Sequence, residues 1–391
     1  MPLLECGAGG PGEEREWRLI ALGDIGLSGA AGEHADRAGS SQSVFEEITP
    51  ALRAADCVIG NLETPLLRNW GPHKMFAGST AWAPDLAAAG IDTLHLASNH
   101  MLDHGSRGFA ETIEAVGNAG ISVLGAGSTE SEARRLVVRQ IGSMRVGFLA
   151  AGLTRLKQPI SPRLWELDTT ALLHETERAR SRVDLLIVSL HWGWMLVEYP
   201  HQEQYETAHR LVDAGASAVL MHHAHVLQGV EIYAGAPICY NLGNFLFDPD
   251  EGLLQKAGNF SHLRYERQVT GGVFSLAWRG GGFARLLVAP IRLPRGGRPD
   301  DQDWAICWAH GDHGRGVTEH LRDISVALQG DFSDLLEQQS WEIRRRDLAL
   351  NLHLILKRRE FWRIWYVLKR VRLSHCRAFC RKLLGVGRRS R

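Results

Sequence analysis

The chain has 391 residues, 45% apolar and 23% charged, with 44 Lys and Arg against 44 Asp and Glu. That is an ordinary composition for a soluble globular protein with a sizeable core, enough for one large domain or two smaller ones. A formal net charge of zero excludes any argument for a partner from whole-chain charge.

Residues 1–15 are rich in Gly, Pro and Glu and are expected to be disordered. They lack a basic segment followed by an apolar one, so no signal peptide is evident. An apolar run at 17–22 then ends in Gly23-Asp24. A helix over 44–55 leads to the strand 57–59, which ends in Gly60-Asn61-Leu62-Glu63. A helix over 81–89 precedes the strand 93–97, which ends in Ser98-Asn99-His100. A helix over 108–119 and a strand at 122–124 follow, then a strand pair, 136–141 and 146–149, around Gly142-Ser143. The helix 170–182 leads to the strand 184–190, which ends in His191-Trp192-Gly193. The helix 202–214 closes on Gly215, a C-cap glycine, before the strand 218–221 and His222-His223-Ala224-His225. Strands alternating with helices argue for an α/β fold.

Past Asp248 the pattern changes. Residues 271–278 and 284–291 alternate as antiparallel strands joined by the turn Gly280-Gly281-Gly282, residues 294–315 look like loop, and 317–384 look helical. The expected organisation is a disordered 1–15, a domain over 16–295, and a loop plus basic amphipathic helical extension over 296–391. The six cysteines form neither a zinc-type pair nor a disulfide framework, which fits a reducing compartment. No uncharged apolar run reaches transmembrane length. The expected location is cytoplasmic, with peripheral contact at the inner face of the plasma membrane as an extension of it.

The polar residues fall where chemistry would need them. Five strand-like runs each end in cation-binding side chains: Asp24; Asn61 and Glu63; Asn99 and His100; His191; and His222, His223 and His225. In a mostly parallel α/β sheet the carboxyl ends of the strands share one rim, where ligands sit. Carboxylates with neutral imidazoles suit Mn, Zn, Fe or Ni, and an Asn carbonyl oxygen completes such a shell. On an extended segment His223 and His225 would point to one side, because side chains alternate. The expectation is one or two divalent ions of the Mn/Zn/Fe class. His73 and His95 each stand alone and are read as ordinary structural histidines.

The ordered set GD, GNLE, SNH-x-x-DHG, HWG-x-x-x-EYP and HHAHVLQGVEIYAG with YNLGNFLFD, over about 17–250, resembles the CapA/PgsA capsule-synthesis (poly-γ-glutamate) family. That family is similar to the calcineurin-like metallophosphoesterases. The resemblance implies a sandwich of two mixed β-sheets flanked by helices, with the site at the strand ends. It implies Asp24 as the first metal carboxylate and puts Asn61 and Glu63 where the superfamily has its bridging carboxylate. Asn99 becomes a bridging or phosphoryl-facing amide and His100 a general acid or transition-state donor. His191, His223 and His225 become imidazole ligands, with His222 behind them or replacing one of them. Asp103 either orients His100 or is a turn residue. Glu198 and Tyr199 either line the substrate cleft or form a plain loop, and Trp192 either stacks on a ligand or packs. Asn244 and Asp248 are read as closing the domain. One departure stands out: the superfamily begins with D-x-H, whereas here Asp24 is followed by Ile25-Gly26.

From Arg344 to Arg391 sixteen Lys and Arg face two acids, interleaved with Trp, Phe and Leu. A basic amphipathic helix of this kind lies on an anionic membrane, binds a partner or packs on its own core. The functional expectation is a metal-dependent, phosphoesterase-like hydrolase in capsule, exopolysaccharide or poly-γ-glutamate synthesis, acting on an anionic polymer or a phosphorylated precursor. The alternative is a non-catalytic polymer-binding or scaffold component of membrane-associated synthesis and export machinery. Nucleic acid is not an expected partner.

Overall fold

Along the strand Trp17–Ile25, Trp17, Leu19 and Ala21 face a core shared with Phe148, Leu185, Ile187 and Leu220. Ile20 and Leu22 face the opposite way, into a core with Phe45, Leu86 and Phe109. Period-two alternation of apolar residues on both faces makes this a buried central strand. The computed structural model describes residues 4–6, 16–71, 74, 76–154, 163–247, 269–293 and 305–341.

Two stacked sheets result. In the larger, Trp17–Ile25, Cys57–Leu62, Thr93–His95 and Ser122–Leu124 run parallel, and the hairpin Thr270–Arg279 and Gly282–Arg292 joins antiparallel beside Trp17–Ile25. In the smaller, Met144–Gly152, Leu185–His191, Ala218–His222 and Ala236–Cys239 run parallel, edged by the antiparallel Val137–Ile141 and Val230–Tyr233. Helices Gly29–Ala38, Ala83–Ala89 and Gly105–Asn118 cover the outer face of the larger sheet. Helices Thr169–Arg180 and Gln202–Asp213 cover the smaller. This is the sandwich of two mixed sheets flanked by helices that the sequence leads one to expect.

Several expectations are corrected. The helix expected at 44–55 is two short ones, Gln42–Phe45 and Thr49–Arg53, the second opening with Pro50 in its first turn, where a residue without an N–H is tolerated. Helix Gly29–Ala38 was not legible because the side chains it buries are those of alanines, Ala31 and Ala35. Strand Leu4–Cys6, within the stretch expected to be disordered, pairs with Gly282–Arg292. The boundary at 295/296 is no break in packing: helix Gly311–Ala327 starts inside the expected loop, and its Val317 and Leu321 join the core between the sheets. The basic extension over 342–391 lies outside the described residues.

Two backbone contacts shape the carboxyl-end rim. Residues 21–24 of the first strand span the same distance as 59–61 of its neighbour, so the strand carries one extra residue, a β-bulge. Simple alternation from Leu19 and Ala21 would turn Asp24 outward. The bulge turns it inward beside Asn61. Gly23 lies at this point, and a Cβ there would sit 2.1 Å from the carbonyl oxygen of Gly243. At Gly152 a Cβ would meet the Ala97 carbonyl oxygen at 1.7 Å, so only glycine lets the loop carrying Asn99 and His100 settle on the smaller sheet. Gly23→Ala is expected to destabilise the fold by about 1–3 kcal/mol or more through forced backbone movement, read as a lowered Tm in thermal denaturation.

Candidate metal centre

Each element ends by delivering a polar side chain into the space between the two sheets. Leu185 and Ile187 face the inner core, so alternation brings Ser189 and His191 inward as well; Ala218 and Leu220 do the same for His222. Asp24, Asn61, Glu63 and His191 are fully buried, and His222, His223 and His225 nearly so.

The side chains form two groups that share one carboxylate. Glu63, His191 and His223 offer ligand atoms within 4.8 Å of one another, and so do Asp24, Glu63 and His225. In the first group His191 Nε2 lies 3.1 Å from His223 Nδ1, 2.7 Å from Asn99 Oδ1 and 3.8 Å from Glu63 Oε1. In the second, His225 Nε2 lies 3.5 Å from Glu63 Oε1, and its Nδ1 3.2 Å from Asp24 Oδ2. Both oxygens of Glu63 are buried without a hydrogen-bond partner among the described residues. A buried carboxylate without hydrogen bonds is costly, and imidazoles at 3.5 and 3.8 Å offset that only in part. A divalent cation in each group would relieve that cost, and the mixed O and N donors suit the Mn/Zn/Fe class. The residues present therefore fit such ions.

Electrostatics follow from burial. Burial alone would raise the Asp24 carboxyl, but hydrogen bonds from His222 and His225 and their charges hold it well below the usual carboxylate range. Glu63 is pushed up to about 7, chiefly by burial, with His225 opposing and Asp24 adding to it. Burial disfavours the charged form of His225, yet Glu63, Asp24 and Asn244 outweigh it and raise the imidazole to about 9. His191 and His95 are held well below their ordinary value, mainly by burial and then by neighbouring imidazoles.

Some residues are brought together differently from expectation. His223 and His225 do not lie on an extended segment. They have φ of 98° and 57°, in the left-handed region that non-glycine residues rarely adopt. This turn sends His223 to one group and His225 to the other, where alternation would have aimed both at a single ion. Asn61 directs its amide nitrogen at the site, donating to Asp24 Oδ1 at 2.8 Å and lying 3.2 Å from His191 Nδ1. It braces the first carboxylate through this nitrogen, and its Oδ1 is buried without a hydrogen-bond partner among the described residues. His222 Nδ1 lies 3.6 Å from Asp24 Oδ1, behind the two groups.

His100 stands at the rim. Its Nδ1 is 2.6 Å from Asp103 Oδ2, and its ring stacks on Phe76 with centroids 4.3 Å apart. Burial opposes its charged form, but the Asp103 hydrogen bond and the nearby Glu63 raise it above its ordinary value.

Glu198 and Tyr199 are engaged by the C-terminal segment. Glu198 is buried and both its oxygens are taken, Oε1 by His320 at 2.9 Å and Oε2 by Gln339 Nε2 at 2.6 Å; Tyr199 stacks on Phe332. A loop next to a ligand strand can carry the C-terminal segment as readily as a substrate, and local sequence does not distinguish the two. Trp192 packs edge-on against His201. His95 lies inside, hydrogen-bonded through Nδ1 to Ser189 Oγ at 2.8 Å. His73 and Asp248 lie outside the described residues.

Two contributors escaped the sequence reading. Asn244, read as closing the domain, holds His225 Nδ1 at 2.9 Å, and the Phe247 ring packs on the same imidazole with centroids 4.6 Å apart. The signal that would have found them is the strand Asn244–Leu246 crossing to the larger sheet beside Asp24, a contact that no local pattern carries.

The family described as bacterial capsule synthesis protein PGA_cap matches residues 18–249. Capsule biosynthesis protein CapA of Bacillus anthracis is 31% identical over 254 residues, covering 60% of this chain and 61% of that protein. PGA biosynthesis protein CapA of Bacillus subtilis (strain 168) is 28% identical over 237 residues, covering 58% and 62%. A probable polyglutamine synthesis accessory protein of Mycobacterium tuberculosis is 33% identical over 241 residues, covering 56% and 61%. The chain thus spans about three-fifths of the length of these relatives. Among solved structures, it is similar to a calcineurin-like phosphoesterase, YfkN, of Bacillus subtilis, with TM-score 0.44 and 12% identity over 81% of this chain and 99% of that one. It is also similar to a 5'-nucleotidase of Candida albicans, with TM-score 0.42 and 11% identity over 83% and 61%.

Because Glu63 belongs to both groups, Glu63→Ala is expected to abolish stoichiometric Mn or Zn binding, whereas His223→Ala should lose about one equivalent. Elemental analysis of protein purified without chelator checks both. Cations compete with protons on raised groups. Their affinity should therefore fall as pH drops from 8 to 6, where Glu63, at about 7, and His225, at about 9, hold protons. Calorimetric titration at the two pH values reads the change.

Proposed function

Because the chain belongs to the bacterial capsule synthesis family that matches residues 18–249, we propose that it acts in making an anionic extracellular polymer, of the capsule or poly-γ-glutamate class, as a metal-dependent hydrolase. The observation that carries this reading is the sharing of Glu63 by two buried donor groups. A single structural ion needs no such bridge. Paired cations are suited to hydrolytic displacement at phosphorus or at a carbonyl.

Cations held there by Asp24, Glu63, His191, His223, His225 and Asn99 would supply Lewis acidity toward the substrate's oxygens. The chain's own residues do the rest. Asn61 holds Asp24 by its amide N–H. Asp103 accepts a hydrogen bond from His100 Nδ1–H and leaves Nε2 for the cleft, the arrangement of a proton donor to a leaving group. The raised proton affinity of His100 suits a donor near neutral pH. The core between the sheets keeps water away from the inner side of the carboxylates.

A second reading keeps the polymer and drops the reaction. A side chain at Gly26, two residues after Asp24, would have its Cβ 2.7 Å from the Phe247 ring. The space in which a further imidazole could reach the Asp24 group is thus filled by an aromatic ring, which favours a non-catalytic component that holds an anionic polymer for a synthase or exporter. The substrate in either case would be an anionic polymer or phosphorylated precursor. Contact with an anionic membrane at the inner face of the plasma membrane would come from the basic residues 344–391. Among the described residues no helix is long and apolar enough to cross a membrane.

The hydrolase reading predicts turnover of a phosphoester or a γ-glutamyl oligomer by Mn-loaded protein. His100→Ala should lower kcat by about 10²–10⁴-fold with KM little changed. No turnover across both substrate classes, with the metal fully loaded, would leave the binding component. The membrane contact is checked separately: neutralising the Arg and Lys residues of 344–391 should abolish cosedimentation with anionic vesicles, and unchanged cosedimentation would remove it.

A further inference from the structure

We propose that Asn244 is the positioning residue that decides which nitrogen His225 offers to a cation. The inference rests on the shared Glu63 centre and assigns a role to a residue outside the ligand set.

Asn244 and His225 are both buried, and Asn244 Oδ1 lies 2.9 Å from His225 Nδ1. The orientation of the amide is set from its other end. Asn244 Nδ2 faces the carbonyl oxygen of His225 at 3.5 Å, and a carbonyl oxygen only accepts. The amide nitrogen therefore belongs at that end, and the amide oxygen belongs at the ring. An amide oxygen also only accepts, so the ring nitrogen it meets must carry the proton. In a neutral imidazole with its proton on Nδ1, the free lone pair is on Nε2, and Nε2 is the atom 3.5 Å from Glu63 Oε1.

Asp24 Oδ2 also lies near Nδ1, at 3.2 Å. Asp24 is itself a candidate ligand. Once its oxygens are engaged, Asn244 is left as the neutral acceptor for that proton. A neutral acceptor holds the ring without adding to the charge of a centre that already contains two carboxylates.

The surroundings keep Asn244 where this requires. It is in register with Asp24 in the strand Asn244–Leu246, and Asp24 N donates to the neighbouring Gly243 carbonyl at 2.9 Å. The Phe247 ring, from the same segment, packs on the His225 imidazole and blocks its rotation. The ring is thus held by a hydrogen bond at one edge and by packing on its face, the type of support that fixes metal-ligating histidines. The contrast with His223 is informative. Its Nδ1 faces His191 Nε2 at 3.1 Å, so the two histidines of one short turn present opposite nitrogens, one to each group.

The test uses the full chain loaded with Mn²⁺, unaltered and as Asn244→Leu, which keeps the volume and removes the acceptor. Metal content by mass spectrometry is read beside the electron paramagnetic resonance spectrum. The unaltered protein should hold two Mn²⁺ with an exchange-coupled signal. Asn244→Leu should bind the second ion about 10–100-fold more weakly, retain one equivalent, and show an uncoupled spectrum. Two equivalents with unchanged affinity and coupling in Asn244→Leu would overturn the proposal. An unaltered protein that never holds two ions would overturn the shared-centre reading, and this proposal with it. If Asn244→Leu does not fold, ¹⁵N imidazole spectra of the unaltered Zn²⁺-loaded chain decide. A protonated Nδ1 on His225 sustains the assignment, and a protonated Nε2 overturns it.

Discussion

Two fully buried carboxylates, Asp24 and Glu63, set the constraint on which the architecture of the rim depends. Moving a carboxylate out of water costs several kcal/mol even after relaxation, unless charge and hydrogen bonds compensate. Here three imidazoles, a bracing amide and a set of backbone contacts converge on the pair. Asp24 is compensated by its neighbours and stays ionised, while Glu63, with no hydrogen-bond partner for either oxygen among the described residues, is pushed up to about 7. The Glu63 carboxylate is left with imidazoles at 3.5 and 3.8 Å and no hydrogen bond among the described residues, where Asp24 has both.

The backbone carries matching strain. A bulge turns Asp24 inward, and His223 and His225 both occupy the left-handed region. Such conformations cost about 1–3 kcal/mol each and persist only where the surroundings over-determine them. The surroundings here are specific: the Gly23 contact with Gly243, the Ala97 carbonyl seated on Gly152, and the chain that leaves the smaller sheet after Cys239 and joins the larger as Asn244–Leu246. The sandwich is thus closed at the same place where the donor atoms meet, and neither the closure nor the site could be moved without the other.

The C-terminal segment is tied to this arrangement through the loop after His191. Glu198 binds His320 and Gln339, while Leu196 N donates to Ala224 O in the turn between His223 and His225. A chain of hydrogen bonds therefore runs from the helix Gly311–Ala327 and the residues after it to the turn that distributes His223 and His225. The basic residues 344–391 follow Gln339 closely in the sequence.

The sequence by itself determined the layers and most of the donor set. Apolar runs of strand length ending in Asp24, Glu63, Asn99, His191 and the histidines 222–225 were legible because a parallel strand buried on both faces needs an unbroken apolar run, and the first polar residue after it falls at the rim. The spacing of His100 and Asp103 left two readings open, an orienting carboxylate or a turn residue, and the 2.6 Å contact shows the first. Only the tertiary structure decided how the donors divide into two groups, that the Asn61 amide nitrogen braces Asp24, that Glu198 binds the C-terminal segment, and that Asn244 and Phe247 hold His225. The reason is physical. Periodicity reports which face of its own element a side chain occupies, whereas these roles depend on a one-residue bulge, two left-handed histidines and a chain crossing from the smaller sheet to the larger between Cys239 and Asn244. Each of those is stabilised by contacts between residues far apart in the chain, and such contacts leave no mark on the local pattern.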